Sequence, residues 1–148
     1  MRQRTTFAPI ALFALLTTGL AAAPAVAPVV HFDEVIKVNP IDATRGAVLT
    51  EVARGEQASV NIWQMTKGLP LHLHRSHEEV IFVKSGRAEV RIGERTLTMQ
   101  AGDLVLIPKG MLHSARAVGK EPFRGISVFA PAFDGKDRIM VDEIPDRG

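Results

Sequence analysis

From Ala58 onward this chain repeats one unit, a short β-compatible run closed by a turn, with little that is long enough to be a helix. Arg87–Ile92 shows the pattern most cleanly, with Ala88, Val90 and Ile92 alternating against Arg87, Glu89 and Arg91. That period of two belongs to a strand with one face buried. Ala58–Met65 is β-compatible, Val80–Val83 is β-branched and aromatic, and Leu104–Ile107 is a short apolar run halted by Pro108. Arg124–Ala130 and Arg138–Ile144 complete the set. Ser85-Gly86 and Gly93-Glu94 supply turns around the alternating strand. Many short strands at this spacing predict an all-β sandwich or barrel.

Four of the 5 histidines fall in two short stretches of this pattern. His72-Leu73-His74 is followed by Glu79, and Pro108-Lys109-Gly110 by His113. In an extended strand alternate side chains share a face, so His72 and His74 point the same way. Imidazole and carboxylate together are donors for a first-row transition metal. Three neutral imidazoles and one carboxylate around a divalent ion leave a formal charge near +1, with two open positions if the ion is six-coordinate. Fe, Mn, Ni, Zn, Co and Cu all suit that donor set, whereas Mg and Ca prefer oxygen alone.

These residues resemble the two motifs of the cupins. His72, His74, Glu79 and Gly86 fit the first, and Gly102, Pro108, Gly110 and His113 fit the second, with fifteen residues between Gly86 and Gly102. Two positions depart from the pattern: Gly68 lies closer to His72 than the family's opening glycine does, and Ala117 stands where a closing asparagine is usual. The resemblance implies a double-stranded β-helix, the jelly-roll barrel, over residues 30–144. It also implies one divalent transition metal held by His72, His74, Glu79 and His113, with Glu79 as the candidate catalytic proton acceptor. Strand alternation would then turn Ile81 and Val83 inward with Glu79, beside either Asn61 and Trp63 or Ile62 and Gln64. His77 and Glu78 read as solvated, and His31 as structural or exposed. The family further implies a homodimer formed by terminal strands, for which Val35–Val38 is the candidate.

The N-terminus reads as a leader. Met1–Arg4 is basic, Phe7–Ala23 is almost wholly apolar, and small residues follow. This is the layout of a secretory signal peptide, predicted over residues 1–25. An uncleaved membrane anchor is the alternative, since the run approaches spanning length. Arg2 and Arg4 leave with the leader, so the mature chain carries 16 basic and 16 acidic residues. That balance argues against nucleic acid as a partner. Cysteine is absent, which excludes disulfides, thiolate ligands and a cysteine nucleophile. A periplasmic or secreted protein is expected, with no stable membrane insertion after cleavage.

Tyrosine is absent, and no GxSxG element occurs, so catalysis in this chain would be metal-centred. Three classes of function follow. The first is a metal-dependent dioxygenase or isomerase acting on a small oxygenated molecule. The second is a non-catalytic module that binds a small ligand or a metal. The third is a structural or regulatory jelly roll. A barrel of this kind hosts all three, so the fold does not choose among them.

Overall fold

A computed structural model describes residues 29–42 and 44–141. The leader predicted over residues 1–25, and residues 142–144 of the expected domain, lie outside the described residues. No helix among the described residues is long and apolar enough to cross a membrane.

Ten described strands form two five-stranded antiparallel sheets. The first sheet comprises β1 (Ala47–Arg54), β2 (Ser59–Met65), β9 (Phe123–Ala130), β4 (Glu78–Ser85) and β7 (Leu104–Ile107), in that spatial order. The second has β10 (Arg138–Met140), β3 (Gly68–His74), β8 (His113–Ala117), β5 (Arg87–Ile92) and β6 (Arg95–Gln100), again in spatial order. This is the jelly-roll barrel that the resemblance implies: from β2 onward successive strands pass from one sheet to the other, except at the β5–β6 hairpin.

Alternation supplies the core. Along β9 buried and half-buried residues alternate from Phe123 to Phe129. Trp63, Met65, Ile81, Val83, Val90, Met99, Ile107 and Phe123 pack between the sheets. The Trp63 ring meets the edge of Phe123 at a centroid distance of 5.0 Å. Burial of either ring contributes about 2–3 kcal/mol. Because partners across a ladder share a face, the pairing of Asn61 with Ser127 and of Trp63 with Gly125 turns Asn61 and Trp63 inward. Ile62 and Gln64 therefore lie on the outer face.

Gly86 shows why a glycine closes β4. Its φ is +75°, and a Cβ there would lie 2.5 Å from the Pro122 carbonyl oxygen. Any side chain would meet both the left-handed backbone penalty and a hard contact.

The terminal segment differs from expectation. Val35–Val38 lies in helix α1 (Phe32–Val38), so it is not a pairing strand. Asp33 and Glu34 in the first turn and Lys37 in the last match the helix dipole, and the Asn39 backbone N–H closes the helix on Val35 O at 3.0 Å. These local terms favour a single helical turn pair over an isolated strand with no ladder to join. Gln64 Nε2 donates to Asn39 O at 2.7 Å, which ties the end of α1 to the outer face of β2.

That outer face is unusually apolar beyond the helix. Val60, Val128, Val80 and Leu106 form one cross-strand row, and Ile62, Ile126, Phe82 and Leu104 form the next. Exposure rises toward the β7 edge, where Leu104 is 65% and Leu106 52% exposed, while Ile62 is 2% exposed.

Candidate metal centre

The ladder of the second sheet assembles the histidines. His72 pairs directly with His113 across β3 and β8, and His74 lies two residues along on the same face. The His72 and His113 ring centroids are 4.1 Å apart. Gly110 brings the second motif onto the first, since its N–H donates to His74 O at 2.6 Å. Its φ of +77° allows the turn that makes this approach.

Each ring is oriented by a specific partner. His72 Nδ1 lies 2.8 Å from Pro70 O, and His113 Nδ1 lies 2.9 Å from Met111 O. A carbonyl oxygen only accepts, so both Nδ1 atoms carry the proton and both Nε2 atoms carry a lone pair. Nδ1 and Nε2 of His74 and Nε2 of His113 are buried with no hydrogen-bond partner among the described residues. One donor nitrogen from each of the three rings lies within 4.8 Å of the other two. Donors around one ion at ~2.1 Å stand roughly 3–3.4 Å apart, so closure onto a metal needs only side-chain adjustment. The donor set fits a transition metal: buried imidazole lone pairs without partners are costly unless something fills the space between them.

Glu79 enters from the other sheet. Its Oε2 lies 3.6 Å from His113 Nε2 and 3.8 Å from His74 Nε2, while Ser127 Oγ donates to Oε1 at 2.7 Å. Burial works to raise the pKa of Glu79, but His113, the Ser127 hydroxyl and His74 outweigh it and hold the carboxyl below its usual range. Burial is also the main reason that the His72 pKa falls to about 4, with His113 adding to the fall. His74 is lowered in the same direction, again chiefly by burial. These directions favour a carboxylate at Glu79 and neutral imidazoles at His72 and His74, the protonation state that a cation requires.

A cavity of about 20 Å³ adjoins the centre, lined by His72, Glu79 and His113 on one side and by Leu49, Trp63, Ile81 and Ile107 on another. It has room for roughly one or two waters. A larger concavity lies elsewhere, on the outer face of the second sheet around Lys67, Arg91 and Arg116. Phe129 and Phe133 stack at 4.6 Å and close the far side of His74.

His77 is not a solvated surface residue. It is 6% exposed, and its Nδ1 donates to Asp137 Oδ2 at 2.5 Å. Asp137 also accepts the backbone N–H groups of Arg75 and Ser76 at 3.1 and 2.8 Å. This carboxylate fastens the loop after His74 to the start of β10, sixty residues away in sequence from His77. Glu78 and Lys109 are exposed, and so is His31 at the start of α1. Ser127, Asp137 and Arg138 escaped the sequence reading, because nothing near them in the chain resembles a ligand motif. Ser127 alone left a trace, as a small polar residue on the buried parity of a strand.

Residues 59–129 match the family described as the cupin domain. An uncharacterized protein of Streptomyces coelicolor is 31% identical over 90 residues, which is 60% of this chain and 84% of that protein. An uncharacterized protein of Aquifex aeolicus is 30% identical over 71 residues, 48% of this chain, and the match spans only 58% of that relative. Among solved structures, an uncharacterized conserved protein with a double-stranded β-helix domain from Klebsiella pneumoniae superposes with a TM-score of 0.65. It is 24% identical, and the match covers 78% of this chain and 97% of that one.

Proposed function

The chain belongs to the cupin superfamily, and from that premise we propose that it is an exported cupin holding one divalent transition metal through His72, His74, His113 and Glu79. The observation that carries this reading is the spent Nδ1–H of His72 and His113, which leaves Nε2 of each as the free donor in a three-histidine cluster, that of His113 buried without a partner among the described residues. A bound ion would supply Lewis acidity, or redox chemistry if it is iron, copper or manganese, to a small oxygenated molecule. Glu79 has one oxygen anchored by Ser127 and the other facing the imidazoles, so it can serve as a ligand or accept a proton. The apolar wall of Trp63, Ile81 and Ile107 limits the space beside that exchange to roughly one or two waters.

On this reading the protein is a metal-dependent dioxygenase or isomerase. The small size of the cavity favours a second reading, a non-catalytic module that captures a metal or a ligand of a few atoms. Elemental mass spectrometry on protein from its native compartment tests the shared premise. Near one Fe, Mn, Ni, Co, Cu or Zn per chain supports it, and a metal-free protein that also fails reconstitution overturns it. Turnover screened across redox-active ions then separates enzyme from module. Export is supported by the basic start and the apolar Phe7–Ala23 run. Fractionation with N-terminal sequencing tests it: a start near Val26 supports cleavage, a start at Met1 in the membrane fraction supports the anchor, and a start at Met1 in the cytosolic fraction overturns export.

We also propose self-association through the outer face of the first sheet, in place of terminal-strand pairing. Its two apolar rows are bracketed by Glu78 at one end and by Lys84 and Arg124 at the other. Arg124 Nε is buried there without a partner among the described residues. A two-fold axis running across the strands sets β4 antiparallel to its copy, so each Glu78 meets the cations of the second copy. A standard interface needs about 800 Å² per partner, which draws in α1 and the charged rim around the apolar rows.

A further inference from the structure

Arg138 is the only cation among the described residues lining the histidine cavity. It pairs across the β10–β3 ladder with His74, and ladder partners share a face, so its side chain and the imidazole point the same way. The guanidinium takes part in none of the ion pairs seen among the described residues. Its Nε is buried and has no hydrogen-bond partner there. The adjacent carboxylate, Asp137, is committed to His77, Arg75 and Ser76. Those same bonds fasten the start of β10, so the guanidinium is held at the cavity by a rigid neighbour. A buried arginine donor with nothing to receive it is costly, and its fork matches a carboxylate.

Charge points in the same direction. A divalent ion with Glu79 leaves one formal positive charge, and Arg138 makes two. Apart from Ser114 and the histidines the remaining walls are apolar, and among the described lining residues no second carboxylate offsets these charges. We infer that Arg138 is the anchor for an anionic ligand, a small carboxylate with an adjacent hydroxyl or oxo oxygen that bridges the guanidinium and the metal. A planar carboxylate suits the narrow cavity better than a tetrahedral phosphate dianion. The inference rests on the metal-binding reading and names the ligand class for that site.

The test uses the mature chain loaded with Zn(II), which avoids oxidation, titrated calorimetrically with glycolate, ethylene glycol and inorganic phosphate. Glycolate is expected to bind and ethylene glycol, which lacks the charge, is not. R138Q should weaken glycolate by about 10- to 100-fold, the range for a lost charge-assisted pair, with zinc content unchanged. R138K keeps the charge and most of the stem but loses the fork, so intermediate affinity is expected even if R138Q fails to fold. Wild-type affinity for glycolate in either variant overturns the proposal, as does tighter binding of phosphate than of glycolate. A rise in glycolate affinity in D142N/E143Q would show Arg138 already neutralised by the C-terminal segment, and would also overturn it. Failure of wild type to take up zinc is a separate result, which counts against the metal reading itself.

Discussion

Ser127 and Glu79 meet across the interior of one sheet, the hydroxyl donating to Oε1 at 2.7 Å. Ser127 lies on β9 and Glu79 on the neighbouring β4, two positions apart in their shared register. The contact occupies one carboxylate oxygen and orients the other toward His74 and His113. It also lowers the proton affinity of a buried acid, which keeps the group ionised for a cation. Removing it should be felt by the metal before it is felt by the fold.

Ser127→Ala is therefore expected to weaken metal binding by about 10- to 100-fold, the usual range for a lost partner of a metal ligand. Competition with a chromogenic chelator reads this directly. Unchanged affinity would show that Glu79 needs no orienting, or does not bind the metal.

His113 and His77 should separate in their effects. His113→Ala is expected to remove most of the bound metal. His77→Ala should leave metal content intact but cost about 1–3 kcal/mol of stability, since Asp137 loses a buried donor. Equal metal loss in both variants would sink the ligand assignment.

Acid should destabilise the metal-free protein in a defined window. His72 falls from an ordinary value of 6.5 to about 4 on folding, so between those values the unfolded chain binds more protons than the native one. Stability consequently drops as pH falls from 6.5 to about 4, by about 3 kcal/mol at most. Glu79, also lowered, adds a loss at more acid pH, as the fall continues through its folded value. Chemical denaturation in the presence of a chelator, from pH 8 to pH 4, measures the slope. His72→Gln should flatten the upper part of this window, and an unchanged profile in that variant would remove His72 as its cause.

The apolar outer rows predict a two-fold assembly that a charge disrupts. Leu104→Lys or Leu106→Lys should shift the mature chain from dimer to monomer in sedimentation velocity, with little change in thermal midpoint because both side chains are exposed. A wild-type monomer at tens of micromolar would overturn the assembly.

The metal ligand candidates are legible in the sequence because each motif is local. His72 and His74 share a face by strand period alone, and Gly110 with Pro108 announces the turn before His113. Arg87–Ile92 and Leu104–Ile107 were bounded correctly for the same reason, as their alternation or their proline stop lies within a few residues. The family expectation of a terminal pairing strand failed at Val35–Val38, where helix-end charges and the Asn39 cap prevail without a ladder to join.

What lay beyond the sequence were the pairings made through space. Register decides that Asn61 and Trp63 face inward, because a shift of one residue would exchange them for Ile62 and Gln64. Asp137 reaches His77, Ser127 reaches Glu79 and Arg138 faces His74 only once β9 and β10 take their places in different sheets. The sequence by itself determined the strand periods, the turns and the identity of the donors, which depend on chemistry within one strand. The tertiary structure decided which buried charges have partners, because burial and hydrogen bonding depend on neighbours that chain distance does not encode.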